Sequence, residues 1–189
     1  MTAAPDPLAL YEAKALAELA DANALAGVVA GGWSGDPLGA VALVVGTEAS
    51  TGDDERGILP ANLREAAGKA LGALGFEEGS DFEIASRPGD AGPDARAARL
   101  RLALEAVDAP LVLALDPLAV DDLAAAFGLH GLEPGKPVRA AGRVLGSTGD
   151  FAASLADVRA KGRVWAAMRS VAAAAGHRTQ AKRPSGASR

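Results

Sequence analysis

Two runs along the chain have no polar interruption: Ala40-Val-Ala-Leu-Val-Val45 and Pro110-Leu-Val-Leu-Ala-Leu115. Each has the length of a strand buried on both faces, as in a parallel sheet covered by helices. Around them the apolar positions recur at helical spacing. Leu8, Leu16 and Leu19, in an alanine-rich stretch, predict a helix over 7–26. A second helix is expected over 62–74, with Gly75 as its stop. Asp94 reads as the N-cap of a helix running to Val107, and 120–127 and 154–175 predict two more. Asp81-Phe-Glu-Ile84 and residues 138–145 are shorter strand candidates. Residues 31–37, 47–60 and 86–93, rich in Gly, Pro or acids, read as breaks and loops.

Strand and helix therefore alternate. The expected fold class is α/β, a three-layer α/β/α arrangement around a central, mostly parallel sheet. Ligands of such sheets bind beyond the carboxyl ends of the strands, here the loops after Val45, Ile84, Leu115 and Leu145. Residues 1–175 read as one domain, and 176–189 as a disordered basic tail.

Composition narrows the chemistry. Of 189 residues 49% are hydrophobic but only 4% aromatic, so Leu, Val and Ile on strands must supply most of the core. The absence of cysteine excludes disulfides, thiolate zinc sites and iron–sulfur clusters. His130 and His177 are the only histidines, and no metal or other cofactor is expected. Asp53, Asp54 and Glu55 could bind a cation, but three acids beside a glycine more commonly form a solvated turn. Arg96, Arg99 and Arg101 read as the solvated face of their helix, and Trp33 and Trp165 as packing residues. No apolar run approaches the roughly 20 residues that cross a bilayer, and the first residues lack signal-peptide character. The expectation is a cytoplasmic protein without a membrane partner.

Charge is distributed unevenly. Eight of the 19 lysines and arginines follow Asp157 and none of the 24 acids does, leaving 11 positive against 24 negative charges over residues 1–157. A basic end on an acidic body suggests a polyanionic partner, although basic tails also serve solubility.

Four stretches carry a family resemblance. Ala40-Val-Ala-Leu-Val-Val-Gly46-Thr-Glu-Ala-Ser50 is similar to a first strand and its water-activating motif, and Asp54-Glu-Arg-Gly57 with Asn62-Leu-Arg-Glu-Ala-Ala-Gly68 to the loop and helix that follow. Asp108-Ala-Pro-Leu-Val-Leu-Ala-Leu115 is similar to a later strand, and Asp157-Val-Arg-Ala-Lys161-Gly-Arg-Val-Trp165 to a charged segment ending in Trp. In this order, across roughly 15–171, they resemble the uracil-DNA glycosylase superfamily, most nearly its bacterial iron–sulfur branch. The resemblance implies a uracil-DNA glycosylase-like fold, DNA as partner and hydrolysis of an N-glycosidic bond. It places Glu48 at or beside the water-activating position, where a carboxylate can polarise water. A Glu there could equally cap a helix or pair with Arg56. The implied binding positions are Gly46, Thr47, Ser50, Phe82 and Asn62, with Lys161 and Arg163 for DNA phosphates.

The departures are substantial. The branch's cluster cysteines are missing. Counting back from Trp165 puts Asp150 at the family's catalytic histidine and Phe151 at its proline, and Phe82 lies near the asparagine that reads uracil. An aspartate would repel the negative charge that develops on the departing base. The function expected is thus a diverged glycosylase-like protein with lost or much weakened excision, retaining nucleic-acid or base binding. The alternative is a non-enzymatic interaction protein with a protein partner. A small-molecule enzyme using Glu48 and Asp150 as paired carboxylates is a third reading.

Overall fold

The Val41–Val45 run forms a strand whose five residues are all buried, at the middle of a six-stranded mixed sheet. The computed structural model describes residues 6–29, 31–46 and 57–177. In chain order its elements are α1 (Pro7–Leu25), β1 (Trp33–Gly35), β2 (Val41–Val45), α2 (Ala61–Ala73), β3 (Asp81–Ala85), α3 (Pro93–Val107), β4 (Leu111–Ala114), α4 (Pro117–Phe127), β5 (Val138–Ala140), β6 (Arg143–Ser147), α5 (Phe151–Ser154) and α6 (Val158–Ala174). The strand order is β1-β3-β2-β4-β6-β5. The inner four strands are parallel, and β1 and β5 join the two edges antiparallel.

Alternation within the strands divides the core. Ala42, Val44, Phe82, Ile84, Val112, Ala114 and Leu145 pack with side chains of α1, α3 and α4. Val41, Leu43, Val45, Leu111, Leu113 and Val144 turn the other way, onto α2, α5 and α6. The sheet is thus covered on both faces, which explains why β2 and β4 are apolar throughout. The α/β expectation holds at this level, as three layers with a mostly parallel sheet.

Several boundaries differ from the sequence expectation, each for a local reason. Residues 33–35 are not a break: they pair with Phe82, Glu83 and Ile84 along the free side of β3. Asp94 does not cap α3. Pro93 takes the first helical position, Gly92 is the cap, and Asp94 lies in the first turn, where the helix dipole favours an acid. Helix α4 starts three residues earlier than expected, because Asp116 caps it and Pro117 opens it. The expected strand over 138–145 is a hairpin. Ala141 and Gly142 take φ of 48° and 80°, the two positive values a tight two-residue turn needs. The expected last helix, 154–175, is α6 and starts four residues later, after its cap Asp157, while a separate short helix, α5, capped by Asp150, precedes it.

Arg99 is the clearest reversal. It is 1% exposed and not part of a solvated face. It lies on the same α3 stripe as Leu100, Ala103, Leu104 and Val107, so helical phase carries it inward. Its Nε donates to Asn23 Oδ1 (2.7 Å) and its Nη1 to the Ala85 carbonyl (2.8 Å). Burial without a carboxylate partner pushes its pKa down to about 10. Trp33 and Trp165 are half-buried against the two core clusters, as packing residues are.

Candidate functional site

Strand order locates the place where a ligand would be expected. From β2 the chain moves to β3 on one side, and from β4 to β6 on the other, so the connections diverge between β2 and β4. In open parallel sheets that crevice, at the carboxyl edge, is the usual binding position. Here Asp116 occupies it. One of its oxygens accepts from Gly46 N (2.7 Å), and the other caps α4 by accepting from Ala119 N (2.8 Å). The closeness explains the glycine: a Cβ at position 46 would lie 2.2 Å from Leu118 Cβ and 2.6 Å from Asp116 Oδ1.

The other carboxyl-edge groups are also engaged. Ser86 Oγ donates to Asp122 Oδ2 (2.6 Å), while Arg87 grips both oxygens of that carboxylate at 2.7 and 3.0 Å. Those bonds hold the Arg87 guanidinium above its usual pKa. The Asp122 carboxylate is thus shared between Ser86 and Arg87, which fixes the Ser86 hydroxyl as a donor. After β6, Gly149 N donates to Ser147 Oγ (2.9 Å), and Asp150 accepts from Ala153 N (2.8 Å) as the cap of α5.

Beside this edge a groove of about 610 Å³ opens between α2 and the α5–α6 pair. Its walls are largely apolar: Ala66 and Ala70 of α2, Phe151 and Leu155 around α5, and Trp165 and Met168 of α6. Asn62, Glu65, Lys69 and Lys161 add polar groups to its lining. The groove can accept a flat apolar body against Trp165 and contact its polar edge through an amide and an ammonium.

The expected site residues thus separate. Gly46 and Asp150 lie at the carboxyl edge, and Asn62 and Lys161 share the groove. Arg163 is exposed on α6, two residues from Lys161 and so about 200° around the helix from it. The two cannot follow one phosphate from the same face. Phe82 must be corrected as a binding residue: it is 0% exposed near the amino end of β3, pointing into the α1–α3–α4 core. Glu48, Thr47, Ser50, Asp53, Asp54, Glu55 and Arg56 lie outside the described residues. Among the described residues no group of three or more His, Asp or Glu is placed to hold a metal ion, and no helix is long and apolar enough to cross a membrane.

Sequence reasoning passed over Asp116, the Ser86–Arg87–Asp122 cluster and Glu83. Asp116-Pro117 does carry a signal, since a capping acid before proline marks a helix start. Neither a protein-family model nor a curated protein matches the chain.

Proposed function

We propose that the chain is a diverged uracil-DNA glycosylase-like protein that binds nucleic acid or a base and no longer excises it efficiently. The observation that carries the loss of excision is Asp150. At the position the resemblance gives to the catalytic histidine stands a carboxylate, and its Oδ1 is committed to capping α5. An aspartate there has no imidazole N–H to offer, and it opposes the negative charge that a departing base develops. Losing one such donor lowers kcat by about a hundredfold or more. The glycosylase-like fold is supported by the parallel β3-β2-β4-β6 core between helical layers. Binding is supported by the groove, whose lining includes Asn62, Lys161 and Trp165.

Uracil release from single-stranded and U:G duplex oligonucleotides tests the catalytic half. The expected result is no release above the protein-free blank, even at protein excess. Release by the parent chain that disappears in Glu48→Gln would instead establish an active enzyme with a reorganised site. Fluorescence anisotropy with the same oligonucleotides tests the binding half. Affinity is expected to fall steeply with salt, and Lys161→Ala to reduce the salt slope by about one.

A second reading, an interaction protein that reuses the fold, is favoured by charge. The carboxyl edge carries Asp116 and Asp150, neither in an ion pair among the described residues, on a body with 11 positive against 24 negative residues up to position 157. Failure to bind either oligonucleotide at low salt would select it.

A further inference from the structure

On the opposite flank of α2 from the 610 Å³ groove lies a second one, of about 850 Å³, between α2 and the β1–β3 edge. Five acids line it: Glu65, Glu77, Glu78, Asp81 and Glu83. The lining has two bases, and both are already paired, Arg64 with Glu83 and Lys69 with Glu65. Glu77, Glu78 and Asp81 have no ion-pair partner among the described residues. The Asp81 carboxyl is pushed up by burial and by the charge of Glu83, which outweigh the opposing pull of Arg64.

An independent contact brings the C-terminal segment to this groove. After α6 the His177 ring stacks on Phe76, with centroids 4.0 Å apart and planes inclined by 28°. Phe76 is itself a lining residue of the groove, and Glu77 and Glu78 follow it directly. The twelve residues after His177 contain Arg178, Lys182, Arg183 and Arg189 and no acid. Five residues of extended chain reach about 17 Å, the span open to Lys182 from the His177 anchor on the Phe76 wall of the groove.

We propose that residues 178–189 dock in the acidic groove between α2 and the β1–β3 edge of their own chain, with His177 on Phe76 as the hinge point. Arg178, Lys182 and Arg183 meet Glu77, Glu78 and Asp81. The contact is electrostatic and partly exposed, so salt weakens it. The proposal is independent of whether the protein binds nucleic acid.

Carbodiimide coupling of the intact chain tests this, because it joins a lysine only to a carboxylate in contact with it. Mass spectrometry is expected to find Lys182 joined to Glu77, Glu78 or Asp81 within a monomer, with the yield collapsing near about 0.5 M salt. A Glu77→Gln, Glu78→Gln double variant, changed only at exposed turn positions, is expected to be cut by trypsin after Arg178 and Lys182 severalfold faster than the parent. Lys182 coupled indiscriminately to acids across the body, or only to a second chain, would overturn the proposal. So would trypsin cleavage at the same rate in parent and variant.

Discussion

At the scale of single residues, two acids on one face of β3 behave in opposite ways. Glu83 is 2% exposed, yet its carboxylate accepts from Ser34 Oγ, Ile58 N, Leu59 N and Arg64 Nε at 2.7–2.9 Å. It ties β1, the chain entering α2 and α2 itself to one strand. Glu83→Ala, which leaves Arg64 and two backbone donors without their acceptor, is expected to cost about 3–5 kcal/mol, read as a lower urea midpoint. Asp81 is half-buried and has no side-chain donor among the described residues, and its pKa lies above the ordinary 3.8. A carboxyl that holds its proton more tightly in the folded state subtracts stability once ionised. That loss develops as pH rises from 3.8 through the raised value and is complete above it. Asp81→Asn should therefore melt higher than the parent at pH 7, and the difference should vanish as pH falls toward 3.8; a constant difference at every pH would refute the assignment. Asp81-Phe-Glu-Ile84 is readable as a strand, but nothing in those four letters says which acid finds partners, because the partners come from residues 34–64. Arg99 was illegible for a related reason: three arginines on one helix look alike until the packing partner fixes the helical phase.

At the scale of elements, Asp116 joins the start of α4 to the end of β2. Asp116→Ala removes a helix cap and the acceptor of Gly46 N together, an expected loss of about 1–3 kcal/mol on thermal unfolding. Gly46→Ala forces a methyl against Leu118 Cβ and Asp116 Oδ1 and should cost about 1–3 kcal/mol by overpacking, and Leu118→Ala should not relieve it, because alanine keeps the clashing Cβ. The inner strands and five of the helices were legible because their apolar pattern is set by burial on both sides of the sheet. Strand β1 was not, since its three residues, Trp33-Ser-Gly35, are held by the hydrogen bonds β3 offers and by no pattern of their own. The division of residues 151–174 into α5 and α6 depends on Asp157, an ordinary acid in sequence whose side chain accepts from Arg159 N.

For the whole molecule, the candidate site was legible in its general position and only partly in its members. Parallel topology directs attention to the carboxyl edge from sequence alone, and Gly46 and Asp150 are there. That Asn62 and Lys161, about a hundred residues apart, line one groove requires α2 and α6 to lie on the same face, which follows from the path of the chain and not from any motif. Phe82 shows the converse: aligned near a binding position, it belongs to the core by strand alternation. Charge works at this scale too. The acidic body opposes approach of a polyanion, so oligonucleotide binding should be slow as well as salt-sensitive, with association rather than dissociation carrying most of the effect of Lys161→Ala.

The two outermost strands are each three residues long and antiparallel to their neighbours. A sheet grows from copy to copy only where a long, straight rim of free amide and carbonyl groups can template another chain. Here one rim runs directly into Asp36-Pro37, and the other is tied across to the last turn of α6 by Arg139, which donates to the Ala174 carbonyl. Strand addition is therefore hindered at both edges of the described sheet, so that two crowded copies would find little rim on which to extend it.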